Sequence, residues 1–240
     1  LTDLMEYFQV SERNPLVGLD GRMQLLKNLS NVLDNETVFP GKRPGGILDC
    51  LRMRCGSAIP AIAILKAVLE GLGPIWPGRL QCKGVNLGDV WRHSQLDPSS
   101  PFKCLVPFHK LSQWMTYSLI EPILESGLSV TGLEELTGLA EYRNGGLFLD
   151  SGLISLKDPT DASRDWKPES DLIIEWRALT IHLLDMVGLE IQKALGKTPE
   201  EFPLAKVLEG GTWWTGRKLA QEKRKDGVPP LQIISDGTVF

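Results

Sequence analysis

The segment SDLIIEWRALTIHLLDMVGLEIQKALG, residues 170–196, constrains the fold more than any other stretch of the chain. Ser170 is a capping residue type at its start and Gly196 a stop at its end, and the longest helical pattern in the sequence runs between them. Its apolar residues fall nearly all round the helix axis. A helix of that kind belongs at the centre of a domain, because a surface helix keeps a polar face. The fold is therefore predicted to be mainly α, with only short strands and with this helix buried. Glu175, Arg177, His182 and Asp185 are then expected to be withdrawn from bulk water. For Glu175 and Arg177, an ion-pair network that fixes helix packing and direct contact with a substrate both remain open.

Two further patterns, GRMQLLKNLSNVLD (21–34) and SAIPAIAILKAVLEGLG (57–73), repeat apolar residues at helical intervals and read as core helices, the second capped by Ser57. The Gly- and Pro-rich stretches VFPGKRPGGILD and GPIWPGRLQCKGVNLGD supply turns, with Trp76 pinning the second to the core. Between 126 and 154, Thr131 caps a short helix, and Gly145 and Gly146 interrupt the next. The end of the chain, PPLQIISDGTVF, offers one short strand.

At 240 residues the chain is expected to form one helical domain over 1–240. It starts on Leu1, and LTDLMEYFQV has neither a basic start nor an apolar signal core. N-terminal residues of a longer chain are expected to be missing, no secretory signal is read, and a cytoplasmic location follows. No apolar run approaches the roughly 20 residues of a membrane span, which argues against a membrane partner. A net charge of −4, with the basic cluster RKLAQEKRK diluted by Glu222, argues against nucleic acid. Cysteines 50, 55, 82 and 104 form no CxxC pair and only His93, His109 and His182 accompany them, so free thiols are expected, without a metal or a cofactor.

The chemistry concentrates in two places. In PFHKLSQWMTYSLIEPIL (107–124), Lys110, Gln113, Trp114, Tyr117 and Glu121 lie within about 100° of one another on a helix, with Leu111, Met115 and Leu119 on the opposite, core flank. Aromatics interleaved with a lysine, an amide and a carboxylate suit a wall that stacks and hydrogen-bonds a small polar ligand, with His109 beside it; a solvated face is the alternative. In EYRNGG (141–146), Glu141, Tyr142, Arg143 and Asn144 sit between apolar flanks, where polar groups are costly unless paired or used. Glu141 is the carboxylate singled out. LEGGTWWTGRK has the glycine gap of a phosphate loop at Gly211 and Gly216. Arg217 and Lys218 stand where that loop has Lys and Ser/Thr, however, and no strand pattern precedes it, so it reads as a glycine turn opening a helix. Asp236, before Gly237, is a turn signal.

Taken together, VPFHKLSQWMTYSLIEP, LTGLAEYRNGGLFLDSG, EWRALT, LEGGTW and SDGTVF, with IWPGR and LGDVW, resemble the uncharacterised family tied to reductase-independent uracil catabolism in fungi and also found in bacteria and plants. That resemblance implies a place in a route where uracil becomes its ribonucleotide, the ring is opened, and a ribosylurea-type intermediate releases urea. More distantly, FHKLSQ, AEYR and EWR are similar to blocks of queuosine-salvage proteins, which are helical, resemble DNA glycosylases in fold and hydrolyse a base-to-ribose bond. This implies a DNA-glycosylase-like architecture and an N-glycosidic hydrolysis. Lys110 and Gln113 match the first block, and Glu141 stands where that family has an aspartate before Tyr142 and Arg143. The extra methylene and the Asn144-Gly145 pair depart from the pattern.

The resulting expectation is an N-ribosyl hydrolase that releases urea from a ureido ribose phosphate. Glu141 and Lys110 are its catalytic residues, and Gln113 and Asn144 hold the urea group. His109, Trp114, Tyr117, Tyr142, Arg143, Glu175, Arg177, Trp213 and Asp236 surround the substrate. Its partners are a nucleotide-derived small molecule and other uracil-catabolic enzymes. The alternative is a non-catalytic partner of the ring-opening enzyme.

Overall fold

Apolar residues at three- and four-residue spacing do form helices in the computed structural model, which describes residues 2–16, 18–77, 79–100 and 102–234. In chain order they are α1 (Thr2–Tyr7), α2 (Leu19–Val32), α3 (Gly46–Cys55), α4 (Ala61–Leu72), α5 (Lys110–Glu125), α6 (Tyr142–Asp150), α7 (Asp171–Leu195), α8 (Leu204–Val207) and α9 (Trp214–Lys223). The strands are β1 (Ala58–Pro60), β2 (Gln81–Cys82), β3 (Val85–Asn86), β4 (Val90–Arg92), β5 (Leu105–Pro107), β6 (Ser129–Thr131), β7 (Asp165–Trp166) and β8 (Gln232–Ile233). Each sheet among the described residues is a pair: β1 with β6 and β7 with β8 are parallel, β2 with β3 and β4 with β5 antiparallel. The fold is mainly α, as the periodicity predicts.

The longest helix matches its sequence limits, with Ser170 as N-cap and Gly196 closing it in the left-handed region at φ 63°. Its surroundings correct the expectation of burial all round. Ile173, Ile174, Trp176, Arg177, Thr180, Leu184, Gly188 and Gln192 are buried. The opposite face leaves Leu179, Met186 and Leu189 exposed, together with Glu175, His182 and Asp185. Apolar side chains tolerate exposure, because a globule has too little polar surface to cover itself. Of the four polar residues expected to leave water, Arg177 does so.

Local competition explains the other differences. Ser57 caps nothing: residues 58–60 extend to pair with β6, and α4 begins only at Ala61. Thr131 likewise belongs to β6, ahead of a 3-10 turn at Leu133–Glu135. The α2 helix buries none of its residues, so it is a surface helix and not a core one. The main apolar core instead joins Val38 and Phe39 to α3, β1, α4 and Ile123 of α5.

Gly145 and Gly146 do not interrupt α6; they let neighbours approach it. A Cβ at Gly145 would lie 2.7 Å from the Trp176 ring and 2.8 Å from Thr180 Oγ1. One at Gly216 would collide with the Arg143 backbone carbonyl, so α9 seats directly on α6. Gly216→Ala is expected to cost about 1–3 kcal/mol through overpacking, read as a fall of several degrees in melting temperature. Gly210 and Gly211 are also inside a helix. The chain runs from α8 through a π-helical turn, Leu208–Trp213, straight into α9.

Candidate functional site

The site is built on a residue in the glycine-rich loop before β4. Gly88, at φ 66°, turns the chain there, and the pairing of Val90 with Pro107 places the backbone carbonyl of Asp89 over the start of α5. That carbonyl accepts from the N–H groups of Phe108 (2.9 Å) and His109 (3.3 Å). The Asp89 carboxylate accepts two 2.8 Å bonds from the Arg177 guanidinium, one of 2.7 Å from Trp91 Nε1 and one of 3.0 Å from the Lys110 N–H. Burial would push its pKa up, but the hydrogen bonds and charge of Arg177 outweigh this and hold it at about 2. Arg177 also donates from Nε to the Ala140 carbonyl (3.1 Å) and stacks 4.1 Å over the Phe108 ring. One ion pair thus locks α7, the start of α5 and the segment leading into α6.

Against this frame stand Lys110 and Glu141. Lys110 is 6% exposed. Burial, seconded by the repulsion of Arg177, lowers its pKa from 10.5 to about 8, while Glu141 and Asp89 oppose the shift. Glu141 is the N-cap of α6, and its two carboxylate oxygens accept from the N–H groups of Arg143 (2.6 Å) and Asn144 (2.7 Å). Burial pushes its pKa up, while those bonds and the charge of Lys110 hold it back.

The Lys110 shift carries a sign that can be measured. Between about 8 and 10.5 the unfolded chain binds a proton that the folded chain does not, so this group's cost to stability is fully present below pH 8 and lifts as pH rises. The stability of the wild type relative to Lys110→Met is expected to improve over that window by on the order of 3 kcal/mol. Denaturant unfolding of both proteins at pH 7.5 and 10.5 checks it, and a flat difference would remove the shift.

One turn into each helix lies a buried amide. Gln113 is 8% exposed and Asn144 is 1% exposed, and the side-chain carbonyl oxygen of each is buried without a hydrogen-bond partner. A turn further on, Tyr117 and Phe148 meet in the apolar cluster of Leu184 and Leu208. Lys110 feels the charge of Glu141, and Gln113 and Asn144 each lie one turn further along their own helix. Two desolvated acceptors are costly unless something donates to them.

The other candidates lie elsewhere. His109 faces the opposite flank of α5, where a cavity of about 280 Å³ is lined by Trp76, Arg79, Asn86, Asp89, His109 and Ser112 among others; burial lowers its pKa. Trp114 is 58% exposed and Met115, expected in the core, 43%. Tyr117 is half-buried, its hydroxyl donating to the Thr137 carbonyl at 2.8 Å. Glu121 is exposed. Tyr142 packs with Ile173, Trp176 and Leu231. Arg143 lies over the Tyr142 ring and donates to the Gly227 carbonyl at 2.6 Å. Glu175, itself exposed, pairs with Nε2 of the buried His93 at 3.1 Å. Trp213 meets Trp214 edge-on, with Arg217 5.6 Å over its ring. Asp236 is outside the described residues. None of the four cysteines forms a disulfide, and no helix among the described residues is long and apolar enough to cross a membrane.

A family model described as a protein of unknown function, DUF1688, matches residues 1–240. This chain belongs to the DUF1688 family. It is similar to uracil catabolism protein 4 of Lachancea kluyveri, 37% identical over 270 residues that cover 100% of this chain and 61% of that protein. It is similar also to protein urg3 of Schizosaccharomyces pombe, 39% identical over 237 residues, or 97% of this chain and 57% of that one. The DUF1688 chain thus spans about three fifths of the length of these relatives. Asp89, the residue that sequence reasoning missed, lies in the LGDVW motif, and its signal was a carboxylate beside a tryptophan in an otherwise apolar stretch.

Proposed function

We propose that this chain acts in uracil catabolism by hydrolysing the N-ribosyl bond of a ureido ribose phosphate. The bond from the sugar's C1 to nitrogen breaks, water supplies hydroxide to C1 and a proton to the departing nitrogen, and urea leaves. The observation that carries the reading is the nearness of the buried Lys110 to the half-buried carboxylate of Glu141, with the unpartnered amide oxygens of Gln113 and Asn144 one turn along the two helices. Positive charge builds on the sugar as such a bond breaks, and a desolvated carboxylate stabilises that charge far better than one in water. Burial raises the pKa of that carboxylate, while the N–H groups of Arg143 and Asn144 and then the charge of Lys110 favour its ionised form. The two amide oxygens accept from ureido N–H groups. The names of the relatives support the pathway, and the distant similarity to queuosine-salvage proteins supports the reaction. A cytoplasmic setting and contact with other enzymes of the route belong to the same reading.

One observation favours a second reading, a non-catalytic partner that holds the ring-opened product. Both oxygens of Glu141 already cap α6, which is a structural task. Incubation with ring-opened ureido ribose phosphate separates the two. The hydrolase releases urea over many turnovers; the holder takes up one equivalent and releases none.

A further inference from the structure

Thr212 lies on the π-helical turn Leu208–Trp213, is 4% exposed, and leaves its Oγ1 buried without a hydrogen-bond partner. Other helical threonines behave differently. Thr116, Thr180 and Thr215 donate to the carbonyl four residues back, those of Ser112 (2.8 Å), Trp176 (2.7 Å) and Gly211 (2.9 Å). That bond is the usual way to satisfy a hydroxyl inside a helix. The i→i+5 geometry of a π-turn shifts the carbonyl of Leu208 out of this position, and such turns recur at functional sites. A desolvated hydroxyl is thereby kept in reserve, at a cost to stability.

Its neighbours at helical spacing show where it faces. Leu208 packs into the cluster of Phe148 and Leu184, and Gly216 seats on the Arg143 carbonyl. Thr212 lies between them in the chain, on the π-turn that packs against α6. Glu141 and Asn144 open α6, and Gln113 lies one turn into α5. The unpartnered buried side-chain atoms found among the described residues are these three: Gln113 Oε1, Asn144 Oδ1 and Thr212 Oγ1.

We infer that Thr212 is the third hydrogen-bonding residue of this site, donating to the carbonyl oxygen of a bound ureido group whose N–H groups donate to Gln113 and Asn144. The inference rests on the ureido reading proposed above and adds what selects that group. A ureido unit presents one carbonyl acceptor flanked by N–H donors, and a hydroxyl with two amide oxygens is its complement. A carboxylate or phosphate in the same place would set its lone pairs against two acceptors. The π-turn makes the site selective by denying Thr212 its partner within the helix.

Thr212→Val and Thr212→Ser test this on the intact chain, with ring-opened ureido ribose phosphate as the calorimetric probe and melting temperature without ligand as the second readout. Thr212→Val is expected to melt at or above the wild-type temperature, having lost only an unpaired hydroxyl, and to bind the probe about tenfold more weakly. Thr212→Ser is expected to restore binding. A valine variant that melts markedly lower has lost a bond within the protein, and one that binds like the wild type has lost no contact; either result overturns the assignment. A wild type that binds the probe in a Thr212-dependent way but releases no urea removes the hydrolase reading and keeps Thr212. A wild type that releases urea with KM unchanged in Thr212→Val does the reverse. No binding by the wild type overturns both.

Discussion

Glu141→Gln is expected to lower urea release by about a hundredfold or more, because it removes the one negative charge aimed at the sugar while keeping the side chain's size. The loss belongs in kcat, since the amide oxygens to which the proposal assigns the ureido group are untouched. The structure adds a control. The two oxygens of Glu141 accept separate bonds from Arg143 and Asn144, and a glutamine amide replaces one of them only. A capping loss of about 1 kcal/mol in stability therefore accompanies the kinetic effect, and melting curves must be read beside the rates. Turnover at the wild-type level in a folded Glu141→Gln protein removes the carboxylate from the chemistry and leaves it a cap.

The second large effect concerns stability. Arg177→Met is expected to destabilise the protein by about 3–5 kcal/mol, because it strands the Asp89 carboxylate in the interior and frees the Ala140 carbonyl. At about 2–4 °C per kcal/mol for a chain of this size, the melting temperature should fall by roughly 10 °C. Asp89→Asn strands the Arg177 guanidinium, which is 2% exposed, in the same way and should cost a comparable amount, although the amide oxygen still accepts one bond. The double variant should lose less than the sum of the singles, as expected for one shared interaction. A fall of a degree or two for Arg177→Met would mean that the pair is incidental to the frame.

Local signals in the sequence were read well where a local cause decides the outcome. The end of α7 follows from Gly196 in the left-handed region, and its start falls at Ser170, whose side chain makes no capping bond. The pairing of Lys110 with Gln113, and of Glu141 with Asn144, follows from polar residues placed one turn apart in apolar surroundings. What was missed depends on the far end of the chain. Asp89 is one carboxylate in a loop until Arg177, 88 residues later, meets it. Glu175 and Arg177 were bracketed together, although two residues on a helix point about 200° apart; one faces the frame and the other the surface. Exposure of Leu179 and Met186 was invisible because apolar composition permits burial without compelling it. The π-turn was hidden because Gly210-Gly211 breaks helices in general, and only the seating of Gly216 on α6 shows why the helix continues here.

The span of these polar contacts bears on how the chain is made. Asp89 and Arg177 are 88 residues apart, Arg143 and Gly227 84, His93 and Glu175 82, Asp150 and Arg224 74. Individual helices form in about a microsecond, but contacts across such loops must await both ends. At roughly 5–20 residues per second of synthesis, the Asp89 carboxylate exists for roughly 4–18 s before its arginine emerges. For that interval the nascent chain carries an unmatched acid destined for its interior, and the start of α5 has no tie to the segment that leads into α6.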